Sequence, residues 1–531
     1  MSLNNFIVDL PDKKITINRS NKNKTPYVYY TKRAYRNKKN QPTSEKILIG
    51  KLDDASGGLI PNNNYYEIYG AKKTLNTKSI LDYGNFFAMQ FILEDLKILD
   101  ILQATFPTEY NNIITIAMYM LCEGNVMFYC DDWCSETFTN LDEAITSQKS
   151  SEIFNNIDFD SRMKFFKKWA KIRKTNECIA YDVTSISSYS KCNEDIEWGY
   201  NRDKENLPQF NLGMYFGESS KLPIFYSVYP GSIVDKSHLK FMMQHNNELG
   251  IETVKFVMDK GFYNSDNLKY MIEKNYSFIL STSNTLIANK KLIDKHKPTI
   301  TSSKFYRNKY DIYSTYELVK KHSKNTKIHI YYDKTKATLE ELDLYQKINN
   351  AENLLQQKGV NLTKKQLKLC KKYFDITSDK EGNFTYEKNF ENIDKLRSDI
   401  GYFLLITDDI EKNSDEVLEI YRKKDVVEKS FDNLKNSIDM KRVRCHSKST
   451  TDGKIFVSFI SLIIKSQLEN KLSNYLSKNN SSIEKIIREL KKIKVITVND
   501  GRKLLNPLNK KQKELLTELG VDIELTLEKY L

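Results

Sequence analysis

Two short apolar runs that each carry an aspartate constrain this chain more than any other feature. CIAYDVTSI (178–186) is apolar and β-branched around Asp182, and VKFVM (254–258) ends at Asp259 before a Gly-containing turn and a helical pattern from Asn264. Runs of this length and composition predict buried strands. QFNLGMYFG (209–217), LPIFYSVYPG (222–231), YSFILS (276–281) and GYFLLITDD (401–409) predict further strands, with a helix at HLKFMMQHNNEL after the third. The first three consecutive strands predict a meander. The fold class is α/β. A strand-terminal aspartate often only caps the next turn or helix, so each acid alone says little. The pair gains meaning from a third carboxylate further along.

That third acid lies in YRKKDVVEKSFDNLK (421–435). At about 3.6 residues per turn, Tyr421, Lys424, Glu428 and Lys435 share one face of a helix. Val426, Val427, Phe431 and Leu434 supply an apolar stripe that docks it, presenting Glu428 inward beside two cations and a phenol. Seen alone, the segment reads first as an ordinary solvated amphipathic helix with Glu/Lys pairs. Asp408 and Asp409, which close GYFLLITDD, are rivals to Glu428.

The formal charge of +14 favours a polyanionic partner, and nucleic acid is the commonest. Cations crowd the start of the chain, where Arg19, Lys22, Lys24, Lys32, Arg33 and Arg36 stand among Tyr27, Tyr29, Tyr30 and Tyr35. VYY (28–30) and KILIG (46–50), separated by RNKKNQPTS, predict a basic β-hairpin suited to a DNA backbone or groove. Residues 83–171 turn helical, with Trp133 and Trp169 as core. The seven cysteines form no CxxC pair and have no nearby His, which argues against a zinc site or a disulfide framework. The longest apolar runs, 113–122 and 455–464, fall short of the ~20 residues of a spanning helix. The expected location is the cytoplasm, with no membrane partner.

Tyr421-x2-Lys424-x3-Glu428-x6-Lys435 resembles the Tyr-x2-Arg-x3-Glu-x6-Lys motif of a superfamily of bacterial insertion-sequence transposases. DVT (182–184), YPGSIVD (229–235), DKGFYN (259–264) and RCHSKSTTDGKIFVSFISLI (444–463) resemble the same family, as does the N-terminal hairpin. Lys424 stands where the family usually has Arg; it keeps the charge and loses the bidentate fork, and the neighbouring Arg422 is the residue to replace it. The resemblance implies a ribonuclease-H-like mixed-sheet core interrupted by an insertion domain, preceded by a β-hairpin and a helical DNA-binding region. The expected divisions are a basic hairpin (1–70), a helical DNA-binding or scaffold domain (71–175), the core (176–281 and 399–470), a β-rich insertion with a helical segment (282–398) and a helical C-terminal region (471–531).

The resemblance also implies a catalytic and metal-binding triad of Asp182, Asp259 and Glu428 holding Mg²⁺ or Mn²⁺, two ions in all. Hard cations prefer such oxygen ligands. Tyr421, Arg422, Lys424, Lys435, His446 in RCHSKS, and Lys32, Arg33 and Arg36 are the expected DNA contacts. The expected partner is double-stranded DNA, both inverted-repeat ends and target, bound by a homodimer. Two alternatives are an inactivated or domesticated relative that binds DNA without cutting, and a nuclease of the same fold without strand transfer.

Overall fold

The computed structural model describes residues 7–18, 26–54, 56–69, 77–173, 177–251, 254–356, 362–378, 384–498 and 501–531. Arg19, Lys22 and Lys24, and the expected divisions at 70/71 and 175/176, lie outside these residues. The chain forms two compact units, one of residues 163–433 and 441–448, the other of 1–162, 434–440 and 449–531.

The unit containing 163–433 carries a nine-stranded sheet. Its order is Tyr306–Arg307, Ile312–Lys321, Lys324–Tyr332, Tyr402–Thr407, Ser277–Thr282, Lys255–Met258, Ile179–Ser187, Gln209–Gly217 and Pro223–Pro230. Ile179–Ser187 and Gln209–Gly217 are buried along nearly their whole length, as continuous apolar runs require. With Pro223–Pro230 they form an antiparallel meander. Helix Asp235–Leu249 then leads to Lys255–Met258, which runs parallel to Ile179–Ser187. Asn264 caps helix Ser265–Glu273 by accepting from the Asn267 N–H, and the chain returns as Ser277–Thr282, again parallel. This winding sets Asp182 and Asp259 at the same end of adjacent strands.

The structure moves the break in the core away from residue 282. Ile312–Lys321 and Lys324–Tyr332 form a hairpin whose second strand pairs with Tyr402–Thr407, itself paired with Ser277–Thr282. The hairpin therefore extends the core sheet instead of building a separate β insertion. Its apolar residues require this, because Ile312 and Tyr331 share one buried cluster with Ile279, Leu405, Val417 and Leu418. Residues 334–398 have their own small core, in which Leu344, Ile348, Ala351 and Leu355 of helix Lys334–Gln356 meet Cys370, Phe374 and Ile393.

In the other unit, Tyr27–Arg36 and Pro42–Leu52 pair antiparallel within a four-stranded sheet over Val28, Ile49, Leu52 and Leu59. Helix Lys448–Lys471 is buried on nearly every face from Thr451 to Ser466. The sequence assigns residues up to 470 to the core, but from Ser449 onward the helix belongs to this unit. An all-round apolar helix must be surrounded. Gly453 lies so close to Phe154 that a Cβ would stand 2.1 Å from its carbonyl oxygen, and Ser461 donates to the Ala117 carbonyl at 2.9 Å. The C-terminal region is not all helical either, since Lys494–Val498 and Lys503–Leu505 form a sheet with Thr77–Asp82. Its β-branched KVITV favours a strand. Among the described residues no single helix is long and apolar enough to cross a membrane.

Candidate active site

Tyr181 and Met258 are register partners across the parallel ladder, so Asp182 and Asp259 are the next residues on strands about 4.8 Å apart. Asp182 accepts from the Val183 N–H at 2.8 Å. Burial pushes its carboxyl up to about 6, opposed by that N–H and by the charges of Lys424 and Arg202, and reinforced by Asp259. Asp259 accepts from the Tyr421 hydroxyl at 2.8 Å. Burial first, and the Asp259 charge next, hold that phenol well above its ordinary range.

The helical stretch that faces these acids is not one helix. Ser414–Lys423 opens with a capping box of Asn413 and Glu416 and ends at Lys424. There the Lys424 N–H bonds the Tyr421 carbonyl at 3.1 Å and the Val427 N–H bonds the Lys424 carbonyl at 2.9 Å, a tightened turn before helix Asp425–Asp432 resumes. Asn433–Ser437 then widens into a π-helical turn. Tyr421, Lys424 and Glu428 stay together across the tightened turn, with the Lys424 ammonium 5.9 Å from the Tyr421 ring centre and 2.9 Å from Glu428, while Lys435 belongs to the other compact unit. Neither break involves Gly or Pro, so nothing in the composition announces it.

Lys424 is the centre of the arrangement. It is buried, at 4% exposure, and its ammonium donates to Glu428 at 2.9 Å. Burial works to lower its pKa, but the Glu428 bond and the charges of Asp259, Glu428 and Asp182 prevail and raise it. The Glu428 side chain is 61% exposed rather than turned inward, since Val427 and Phe431 take the buried face of that helix. Lys424 thus bonds Glu428 directly, and its charge acts on Asp259 and Asp182 as well. Among the described residues no group of three or more His, Cys, Asp or Glu is gathered closely enough to hold an ion. The chemistry of the donor set nevertheless suits a hard divalent cation. It is all carboxylate oxygen, with Asp182 and Asp259 on neighbouring strands where a cation would offset the charge of both.

A second network beside Asp182 is not evident from the sequence. Arg202 donates to Asp235 at 2.6 Å, and Asp235 also accepts from the Tyr229 hydroxyl at 2.7 Å. Asp235 ends the YPGSIVD motif, which is a signal, whereas Arg202 lies in a loop that carries none.

The remaining expected residues are dispersed. Arg422 sets its guanidinium 5.0 Å from the Tyr310 ring centre. His446 is exposed, and its carbonyl accepts from the Ser190 hydroxyl. Lys32, Arg33 and Arg36 are exposed on Tyr27–Arg36, with Lys32 3.3 Å from Glu45 and Arg36 donating to the Asn40 carbonyl at 2.9 Å. Asp408 accepts from the Phe278 N–H and from Lys324, both at 2.8 Å, and Asp409 lies 3.4 Å from Lys412.

The transposase DDE domain family matches residues 173–464. The match spans more than half of the chain, which belongs to this family and is a DDE-type transposase. Among solved structures, the chain is similar to a piggyBac transposase synaptic complex with hairpin DNA, with 11% identity, a TM-score of 0.32, and coverage of 80% of this chain and 74% of that one. None of the curated proteins matches.

Proposed function

We propose that this transposase binds double-stranded DNA at the inverted-repeat ends of a bacterial insertion sequence, cuts it, and joins the freed ends to target DNA. The observation that carries the reading is the placement of Asp182 and Asp259 side by side on neighbouring strands, with Lys424, bonded to Glu428, near enough for its charge to act on both. A ribonuclease-H-like core is supported by the antiparallel meander followed by two parallel strands. Asp182, Asp259 and Glu428 would hold Mg²⁺ or Mn²⁺, two ions in all, which when bound stabilise the entering and leaving oxygens of an in-line displacement. Tyr421 orients Asp259 through its hydroxyl. Lys424 favours the ionised form of the acids, and the Asp235–Tyr229 pair fixes Arg202 where its charge reaches Asp182. Lys32, Arg33 and Arg36 suit the phosphate backbone, so binding should weaken steeply with salt. We place the enzyme in the cytoplasm at the nucleoid, acting as a homodimer.

The test is incubation of the purified chain with Mg²⁺ and labelled duplexes carrying the repeats that flank its coding sequence. Cleaved ends and joined target products are expected. Cutting without joining would identify a nuclease, and binding without cutting an inactive relative.

A further inference from the structure

The chain leaves three aromatic side chains in solvent around the Asp182 end of the sheet. Trp198 is 63% exposed, Tyr200 81% and Tyr189 66%. Exposed rings are common on flexible loops, but the backbone here is fixed. The Glu197 N–H bonds the Gln209 carbonyl and the Gln209 N–H returns the bond, both at 2.9 Å. The Gly231 N–H bonds the Asp195 carbonyl at 3.2 Å, and Gly199 meets Gly231 so closely that a Cβ would stand 1.9 Å from the latter's carbonyl oxygen. Asn201 donates to the Ser187 hydroxyl at 3.0 Å. Trp198 and Tyr200 are thus held on a rigid strap with their rings outside the core.

The strap reaches the acids within a few residues. The Tyr200 carbonyl accepts at 3.3 Å from Ser185, three positions along the strand from Asp182. Arg202, two residues beyond Tyr200, is among the charges that act on Asp182. Cations and acids alternate around the rings: the Arg442 guanidinium lies 5.3 Å from the Tyr189 ring centre and pairs with Glu205 at 3.0 Å, on a segment bridged to Ser187 and Cys192, and Lys448 of the same segment pairs with Glu194 and Asp195.

Pre-ordered aromatics interleaved with cations bind unpaired bases, because every base has a face to stack and the backbone supplies the charge. Cutting DNA at a surface site also requires the target phosphate to leave the regular duplex, which is easier when displaced bases find a stacking partner. We propose that Trp198 and Tyr200 form a stacking platform for unpaired bases of the DNA strand beside the scissile phosphate, as positioning residues. The proposal rests on the reading of the acids as the cutting site.

The experiment uses the full chain and an end duplex with 2-aminopurine placed at positions flanking the cut. The chain has three tryptophans. Trp133 and Trp169 are buried, at 8% and 0% exposure, so quenching of tryptophan emission by bound DNA reports on Trp198. Quenching and a 2-aminopurine change are expected with the native chain. Both should be lost in Trp198→Ala with about ten-fold slower cleavage, and Trp198→Phe should recover most of the rate. Tyr200→Ala should give a smaller loss in the same direction. Native cutting with no quenching, or Trp198→Ala cutting at the native rate with its 2-aminopurine change intact, overturns the platform. A native chain that binds, quenches and does not cut overturns the reading of the acids and leaves the platform standing.

Discussion

Asp182 and Asp408 both sit on apolar strands of one sheet, yet they have opposite surroundings. Asp408 lies beside the first residues of Ser277–Thr282, accepts from the Phe278 N–H and the Ser277 hydroxyl, and faces Lys324 at 2.8 Å with its side chain 5% exposed. Asp182 lies toward the other end of the strands, with the Val183 N–H on its carboxylate, a second acid alongside and its carboxyl pushed up to about 6. The first acid is paired directly with an ammonium, and the second shares its surroundings with another acid. Strand-terminal aspartates of identical appearance in a sequence separate into structural and chemical ones by what their neighbours donate.

The largest expected effect breaks the chemical end. Asp182→Asn, Asp259→Asn and Glu428→Gln should each slow cleavage of labelled ends by about a thousand-fold or more while DNA binding persists. Undiminished cutting by Glu428→Gln would sink the assignment. Asp408→Asn should do the reverse, leaving cleavage nearly native and lowering stability to urea by about 3 kcal/mol, because the Lys324 ammonium and the Phe278 N–H lose their carboxylate.

Acid should weaken the fold at both of its buried histidines. Burial lowers His238 to about 4 and His329 to about 3, so each binds its proton less well folded than unfolded. Stability should therefore be full above about pH 6.5 and fall as pH drops toward 4, by a few kcal/mol in all. His329→Gln should flatten that slope in urea titrations at stepped pH, and an unchanged slope would count against a neutral buried His329.

Smaller effects sharpen the picture near Asp259. Tyr421→Phe removes one hydrogen bond to that acid and should slow cleavage about five-fold, on the order of 1 kcal/mol. Lys424→Arg restores the residue usual in the family and should keep the cleavage rate within about two-fold. A large loss would show that the buried pocket is shaped to an ammonium.

The strands that carry the two aspartates are legible in the sequence, because apolar β-branched runs of that length have few other readings, whereas the acids gain meaning only from the third motif. Glu428 is legible as a residue and not as an outward-facing one, since Val427 and Phe431 take the buried face of its short helix. The hairpin over 312–332 is legible as strands but not as part of the core, because its sheet neighbour, Tyr402–Thr407, appears about seventy residues later. Arg202 and Trp198 escape for a related reason. Loop residues acquire a role from the surface they fold back onto, and no periodicity records it.

The long separation between the first acid and the last has a consequence for how the enzyme comes into being. Asp182 comes under the charge of Lys424, which bonds Glu428, only after the ribosome has delivered the whole intervening chain, roughly 12–50 s of synthesis at about 5–20 residues per second. Until then the first strands carry their aspartates without the helix that completes the site, and pairing across such sequence distance is slow in itself. A nascent or truncated chain thereby lacks the completed site, and the order of assembly acts as a delay on transposase activity.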